Sequence, residues 1–280
     1  MSKAARTVLV PAGIYTAVKY TIYLLLAVNV VMFLRAEWQA AQHTHPGEIG
    51  LDILIEGFTQ TIDTAAWVAL LLLFELETFV LADALLQGRL RWVLHGIRAA
   101  CYLFIIYAFY GYLLQCLELY RVTPLPAGKL CALTTAGVSV LVSLKEFVAL
   151  DSGNCAALAQ GAPVWQLAEA PALLVSDQAT LDAARKLAWT DVINAGNWLL
   201  IVLLLEIDVR LQLKGHLQGR ILKVSEGLKA ALYSVLLVCA LYWGYAGTFL
   251  DFWDAFLWLL AFALIELNVL EWQAETEGGM

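Results

Sequence analysis

LLLLFELETFVLADALLQGR, residues 70–89, joins a leucine run apolar enough for a lipid bilayer to three carboxylates, Glu75, Glu77 and Asp83. A similar stretch, IVLLLEIDVRLQLKGHLQGR, follows at 201–220. Such runs are typical of transmembrane helices, which need about 20 mostly apolar residues. A charged carboxylate at the bilayer centre costs on the order of 2.5–3.5 kcal/mol. Its presence in both stretches therefore needs a structural or functional reason.

The composition of the whole chain indicates a membrane location. Of the 280 residues, 61% are hydrophobic and 15% are charged, and the mean hydropathy is +0.74. Soluble domains carry about 25% charged residues and roughly 45–50% apolar ones. The formal charge of −7 argues against nucleic acid, which attracts clustered basic residues. We therefore expect an integral membrane protein in contact with the lipid bilayer and without a nucleic-acid partner.

Seven apolar segments predict an all-α integral membrane protein, a bundle of about seven transmembrane helices with six possible. The segments lie near 12–34, 65–86, 97–118, 130–150, 188–211, 229–249 and 252–272. Segment 130–150 is the weakest, because Lys145 and Glu146 shorten its apolar part to about 15 residues. The connection 151–187 contains glycines and prolines and predicts a polar or re-entrant segment. Residues 1–280 would form a single polytopic membrane domain.

The two opening stretches belong to an internal duplication. With a shift of 131 residues, 61–102 aligns with 192–233 without a gap, and 14 of the 42 positions are identical. The matched positions include Trp67 with Trp198, Glu75 with Glu206, Glu77 with Asp208, and the Gln-Gly-Arg (QGR) turns at 87–89 and 218–220. A weaker match, at a shift of 120, aligns Glu146 with Glu266. It extends the repeats to approximately 61–150 and 192–272, with 12–34 as an additional N-terminal helix.

The charges of the loops bear on orientation. Both QGR loops are basic, and the positive-inside rule places them and the basic N-terminus in the cytoplasm. Seven crossings would instead put the two repeats in opposite orientations, as in many transporters. Seven helices are slightly favoured, and the orientation of the repeats stays open. The expected location is a bacterial-type inner (plasma) membrane with a cytoplasmic N-terminus.

Intramembrane carboxylates are the candidates for an ion or proton pathway. They lie within or at the ends of apolar segments and are Glu75, Glu77, Glu206, Asp208, Glu146 and Glu266. The possible charge partners are Lys19, Lys145, Arg210, Arg89 and Arg220. A buried carboxyl group avoids its desolvation cost by protonation or by pairing. Two interpretations therefore stay open, a pathway for protons or cations and structural pairing near the inner interface.

Other chemistry is weakly indicated. The five cysteines show no CxxC pair and predict buried thiols rather than a disulfide or a metal site. The stretch HTHPGE at 43–48 predicts an ordinary turn more than a metal site. The tyrosines of segment 97–118 are packing aromatics or line a polar cavity. No nucleotide-binding, metalloprotease or serine-hydrolase motif is present, so we expect no cofactor, and an enzyme is the less favoured class.

The leading hypothesis is an ion- or proton-linked membrane channel or transporter with carboxylates at matching repeat positions. The alternative is a non-catalytic membrane scaffold or a subunit of a larger membrane complex. Its partner would be a second copy of the chain or another membrane protein.

Overall fold

The computed structural model describes residues 12–44, 57–77, 88–160, 163–167, 173–213 and 218–278. Within this part of the chain, six long helices and a five-stranded sheet form the fold. Four of the described helices are long and apolar enough to cross a membrane. The predicted helical class is confirmed, with four helices that could span a membrane, whereas the sheet was not expected.

The long helices follow six of the predicted apolar segments and extend them at their polar ends. In chain order the helices are α1 (Ala12–Thr44), α2 (Thr59–Glu75), α3 (Arg89–Glu118), the short α4 (Ala127–Leu130) and α5 (Ser152–Gln160), α6 (Gln178–Leu213), α7 (Arg220–Ala246) and α8 (Phe249–Gly278). A helix of 30 residues such as α3 is about 45 Å long at about 1.5 Å per residue. It therefore exceeds the roughly 30 Å of a bilayer's hydrocarbon core.

The prediction of a transmembrane helix at 130–150 is wrong, because this segment contributes two strands to the sheet. The strands are β1 (Val122–Leu125), β2 (Ser139–Ser143), β3 (Glu146–Ala149), β4 (Val164–Leu167) and β5 (Leu174–Asp177). Val140 of β2 is buried, whereas Val142 is 50% exposed. Ser139, Val140 and Leu141 are buried in succession, as in a strand that is covered on both faces, and β-branched valines favour the strand conformation.

The described residues of 122–177 (122–160, 163–167 and 173–177), here named the cap, form one unit around the sheet. The strand order is β1-β4-β5-β2-β3, with β2 parallel to β5 and the other pairs antiparallel. A disulfide joins Cys131 to Cys155, which corrects the expectation of thiols at these positions. Cys101, Cys116 and Cys239 are buried free thiols.

The six long helices form a closed ring in the order α1-α2-α3-α6-α7-α8, in which α8 packs against α1. Contacts with the cap show their directions. His43 lies near the end of α1, and its Nδ1 is 3.1 Å from Ser139 Oγ in the cap. Gln60, at the start of α2, accepts a hydrogen bond from Lys145 in the cap. Helices α2, α6 and α8 therefore run away from the cap, and α1, α3 and α7 run toward it.

Both described QGR glycines lie at the end of the ring away from the cap, so the two repeats have the same orientation. Gly88 and Gly219 directly precede α3 and α7, with φ of 76° and 58°. Glycine adopts positive φ at little steric cost, which explains why this turn recurs. The slight preference for seven helices is therefore wrong. Arg89 and Arg220, predicted as charge partners, are the exposed first residues of α3 and α7.

Apolar side chains cover the outside of the ring, and polar side chains lie inside it. Leu24, Leu103 and Val238 are 65%, 69% and 64% exposed. Buried polar side chains include Lys19, Asn29, Glu75, Asp191 and Asn197. Soluble bundles have the opposite distribution. An apolar exterior around polar interhelical contacts is expected where lipid surrounds the helices.

The common orientation of the QGR loops predicts a labelling pattern. We expect Arg91→Cys and Lys223→Cys to react with a membrane-impermeant maleimide from one side of oriented vesicles, and Thr123→Cys from the other side. All three positions are exposed, and the native free cysteines are buried, so background labelling is low. Labelling of Arg91→Cys and Lys223→Cys from opposite sides would contradict the ring topology.

Asp177 fixes the junction between the cap and α6. Its carboxylate accepts hydrogen bonds from the backbone N–H and the hydroxyl of Thr180 at 2.9 and 2.8 Å, as helix N-caps do. Partial burial acts to raise the pKa of Asp177, but these hydrogen bonds outweigh it and lower the pKa below its usual value. A depressed folded-state pKa stabilises the fold above the unfolded pKa of about 4, and this stabilisation is lost as the pH falls.

We predict that replacement of Asp177, the N-cap residue of α6, causes a pH-dependent loss of stability. We expect Asp177→Ala to lower the free energy of unfolding by about 1 kcal/mol at neutral pH. The difference from wild type should disappear as the pH falls below about 4, when Asp177 becomes protonated in wild type. Denaturant unfolding in detergent at several pH values measures both. Asp177→Asn, which keeps a side-chain acceptor, is the matched control and should remain close to wild type at neutral pH.

Candidate functional site

The ring encloses a polar cavity at its cap end. Its volume is about 50 Å³, whereas one water molecule needs roughly 10–15 Å³, so the cavity has room for a few waters. Side chains of α2, α6 and α8 form most of its wall, together with Tyr112 of α3 and Trp243 of α7. The cavity therefore lies where the inner faces of these helices meet.

The three helices that line the cavity carry the same pattern of residues. The lining residues are Gln60, Asp63 and Trp67 of α2, Asp191, Asn194 and Trp198 of α6, and Asp251, Asp254 and Trp258 of α8. Each set has spacings of three and then four residues, which place all its side chains on one helix face. We name this pattern the inner-helix motif.

A glutamate follows the tryptophan of each inner-helix motif by eight residues, at Glu75, Glu206 and Glu266. The duplication recognised from the sequence is therefore part of a threefold repetition. Glu266 aligns with Glu206 at a shift of 60 residues, and the weaker alignment of Glu266 with Glu146 is wrong, because Glu146 is an exposed residue of strand β3. The side chain of Glu266 itself lies outside the described part of α8.

The helices α2, α6 and α8, which carry the motif, are here named the inner helices, and α1, α3 and α7 the outer helices. Three cavity carboxylates each accept a hydrogen bond from an outer helix. The donor and acceptor pairs are Tyr112 with Asp63 (3.2 Å), Trp243 with Asp191 (3.2 Å) and Asn29 with Asp254 (2.8 Å). These bonds join α2 to α3, α6 to α7 and α8 to α1. The ring is therefore built of three helix pairs, each with one motif-bearing helix.

Gln60 connects three elements at the mouth of the cavity, on the side that faces the cap. Its backbone N–H donates to Glu37 (2.8 Å), its side-chain Nε2 donates to Asp251 (2.9 Å), and its Oε1 accepts from Lys145 (2.6 Å). Glu37 also accepts hydrogen bonds from the backbone N–H and hydroxyl of Thr61. A carboxylate of α1 therefore caps the N-terminus of α2, where negative charge is favourable.

Lys145 brings a positive charge from the cap to this mouth. Its Nζ lies 3.4 Å from Asp191 Oδ2. Burial alone would lower the pKa of Lys145, but the charges of Asp191, Asp251 and Glu37 outweigh burial and raise the pKa above its usual value. The ammonium group therefore stays charged at neutral pH. From the sequence, Lys145 was a possible partner of intramembrane carboxylates, but its partner Asp191 was not among the candidates.

Glu75 lies away from the cavity, in a buried ion pair. Asp63 and Glu75 are twelve residues apart on α2, or about 18 Å along the helix axis. Lys19 Nζ lies 2.7 Å from Glu75 Oε1, and each side chain is 7% exposed. The hydroxyl of Tyr20 donates to the same oxygen at 2.9 Å. Among the predicted charge partners, Lys19 is therefore the one that the structure places against Glu75.

The matching glutamate of the second repeat has different surroundings. The side chain of Glu206 is 56% exposed, and it accepts a hydrogen bond from the predicted partner Arg210, one turn further along, at 2.9 Å. Equal positions in the repeat have therefore not given Glu75 and Glu206 equal environments. Whether either residue carries a proton or an ion stays a prediction.

A neighbouring ion pair is retained in both repeats. Glu77 of the first repeat pairs with Arg98, and Asp208 of the second pairs with Lys229 at 3.0 Å. A shift of 131 residues converts one pair into the other. Each pair joins the C-terminal end of an inner helix to the outer helix that follows. Whether Glu77 or Asp208 also carries a proton or an ion stays a prediction. Asp83 lies outside the described residues.

Tryptophans close the cavity on the side away from the cap. The ring centroid of Trp67 lies 5.9 Å from that of Trp198 and 6.3 Å from that of Trp258. Phe262 packs against Trp198 with a centroid distance of 4.5 Å. Leu26 and other buried apolar residues continue this packing further into the ring. The polar interior is therefore restricted to the cap end in this conformation.

The cavity aspartates were not selected from the sequence. Three of them, Asp63, Asp251 and Asp254, lie within the first six residues of α2 and α8, where acidic residues are ordinary. Asp191 lies at the edge of the apolar segment 188–211. The signal that identifies them is the common spacing to a tryptophan in three apolar segments. Among the described side chains, no group of three or more His, Cys, Asp or Glu residues could hold a metal ion. His43 packs against Phe147 of the cap, and His45 lies outside the described residues. Comparison of the chain with protein-family models, curated proteins and solved structures found no match.

The different environments of Glu75 and Glu206 predict unequal effects of the same substitution. We expect Glu75→Gln to lower the free energy of unfolding by about 3–5 kcal/mol, because it removes the carboxylate that faces the buried Lys19 ammonium. Glu206→Gln is the matched control and should cost about 0.3–0.5 kcal/mol, the usual contribution of an exposed pair one turn apart. Denaturant unfolding in detergent measures both, and equal effects would contradict the difference in burial.

Proposed function

We propose that the chain is a proton- or cation-linked membrane transporter or channel, and that its ion-binding residues are the cavity aspartates. The observation that carries this proposal is the repetition of the inner-helix motif on three helices around one polar cavity. Structural repeats that meet at a polar site within the membrane are a common plan of secondary transporters. The proposal keeps the class expected from the sequence and moves the site from Glu75 and Glu206 to the cap end.

The charges around the cavity favour a proton or a small cation. The cavity is lined by four aspartates, Asp63, Asp191, Asp251 and Asp254. The ammonium group of Lys145 contacts one of them, Asp191. A carboxylate that is removed from bulk water gains stability by binding a proton or a positive charge. A cavity of about 50 Å³ is also far below the roughly 300–1,000 Å³ typical of sites for larger organic ligands.

The cap is proposed to face the extracytoplasmic side of the membrane. Disulfides such as Cys131–Cys155 persist mainly in oxidising compartments. The basic QGR loops lie at the opposite end of the ring, where the positive-inside rule predicts the cytoplasm. The direction of α1 then puts its N-terminal end in the cytoplasm. A bacterial-type inner membrane satisfies these requirements.

The second candidate is a non-catalytic scaffold or subunit of a larger membrane complex. The observation in its favour is the layer of Trp67, Trp198 and Trp258, which separates the cavity from the far end of the ring. Under this alternative, the aspartates serve only to hold neighbouring helices together. It predicts that substitutions in the cavity change stability and assembly without any effect on ion movement.

Ion flux into liposomes tests the transport proposal. We expect the purified protein to carry a proton or monovalent-cation flux, and Asp63→Asn and Asp254→Asn to reduce it about tenfold or more, equivalent to about 1.4 kcal/mol of lost stabilisation. An amide can still accept hydrogen bonds from Tyr112 or Asn29, but it binds no proton at neutral pH. Asp182→Asn is the matched control, because this carboxylate of α6 is 47% exposed. A pH-sensitive dye inside the liposomes and ion-selective electrodes measure the flux.

Two results would contradict transport through this cavity. The first is wild-type flux no greater than that of empty liposomes. The second is unchanged flux in Asp63→Asn and Asp254→Asn variants that fold normally, as judged by gel filtration and thermal melting. Loss of stability in these variants without any wild-type flux would favour the scaffold.

A further inference from the structure

Lys145 enters the mouth of the cavity from the cap and not from the ring of helices. It lies in the turn between β2 and β3. Its Nζ donates to Gln60 Oε1 at 2.6 Å and lies 3.4 Å from Asp191 Oδ2. Gln60 and Asp191 are the first residues of the inner-helix motif in α2 and α6. The ammonium group therefore bridges two equivalent positions of the repeat.

A second, smaller cavity lies on the cap side of the same residues. Its volume is about 20 Å³, and Lys145, Asp191 and Asp251 contribute to its wall. Asp191 and Asp251 also line the central cavity. Lys145 thus contributes to the outer cavity and touches residues that line the inner one. The two cavities share Asp191, the residue that Lys145 contacts.

The β2–β3 turn places Lys145 against Gln60 and Asp191. The pairing of β2 with β3 shifts its register between Leu141 and Ser143, directly before the turn. Such irregularities bend a strand and redirect the side chains that follow. The Lys145 side chain is 22% exposed, whereas that of Asp191 is 8% exposed. The lysine is therefore the more solvent-accessible member of the pair.

We propose that Lys145 is a tethered cation that occupies the entry site for the transported cation, so that the cap acts as an autoinhibitory plug. This inference rests on the proposed function and specifies the regulation of the same site. A lysine ammonium is a compact charge on a flexible stem, and a movement of the β2–β3 turn withdraws it. Withdrawal leaves oxygens of Gln60 and Asp191 free to bind an incoming cation.

Binding of a small ammonium ion tests the site without any measurement of transport. The purified Lys145→Ala protein in detergent is titrated with n-propylammonium chloride, which supplies the deleted charge and part of the deleted stem. We expect saturating probe to raise the melting temperature of Lys145→Ala by about 2–4 °C. Wild type should not respond, because its own lysine fills the site. Propanol at the same concentration controls for solvent effects.

Two further variants separate the site from general effects of charge and packing. Lys145→Ala/Asp191→Asn should lose the response to propylammonium, because the carboxylate that holds the cation is gone. Lys145→Met, which keeps an apolar stem in the vacated space, should also show no response. Lys129→Ala removes an exposed lysine elsewhere in the cap and should behave as wild type throughout.

Flux measurements test the plug. If Lys145 occupies the site in most molecules, a cation binds only to the fraction of molecules in which the site is open, and its apparent affinity is reduced by that fraction. Removal of Lys145 opens the site in all molecules and restores the full affinity. We therefore expect Lys145→Ala to increase cation-linked flux at low cation concentration by roughly tenfold, and propylammonium to inhibit the increased flux. Lys129→Ala should leave the flux unchanged.

The outcomes distinguish this inference from the proposed function. A folded Lys145→Ala protein that neither binds propylammonium nor gains flux would overturn the tethered cation. Stabilisation by propylammonium in the absence of flux from every variant would support the ammonium site and overturn transport. Flux that is normal in wild type and unchanged in Lys145→Ala would overturn the plug while transport stands.

Discussion

Buried carboxylates determine the arrangement of the helices, because each needs a hydrogen-bond donor from another element. Glu37 of α1 is satisfied by the N-terminus of α2, Asp63 by Tyr112, and Asp254 by Asn29. Apolar contacts alone specify little about helix order in a membrane, since lipid is as apolar as leucine. A buried carboxylate without its donor is costly. The polar contacts at the cap end thus select which helices become neighbours.

Most of the helical architecture could be predicted from the sequence, because six segments are too long and too apolar for any other element. The cap could not be predicted in the same way. Segment 130–150 has a short apolar run whose length suits both a helix and a strand, and β2 pairs with β5, more than thirty residues further along the chain. The Cys131–Cys155 disulfide, with a separation of 24 residues, likewise depends on the folded cap. Such non-local pairings leave no periodic signal in the sequence.

For the candidate site, the sequence shows where charged residues lie along the helices but not which of them face the interior of the ring. The cost of an intramembrane charge correctly drew attention to Glu75, which is buried and paired with Lys19. The same reasoning failed for Glu206, because a position in an apolar run does not reveal which face of the helix turns inward. Asp63, Asp251 and Asp254 lie near helix starts, where acidic residues are ordinary, and Asp191 lies at the edge of its apolar segment. Comparison of three helices by spacing to a tryptophan, rather than of two by continuous identity, would have identified the cavity.

The threefold motif also has a mechanical consequence. Trp67, Trp198 and Trp258 occupy the same motif position on three helices that run in one direction, and they close the cavity against one another. Packed interfaces of this kind shift between discrete arrangements rather than deforming continuously. A small sliding of one inner helix therefore changes the tryptophan contacts and, through the same helix, the position of its aspartate. If the aspartates bind a cation, as proposed, this binding would be coupled to opening of the tryptophan layer through the three helices, as alternating access requires.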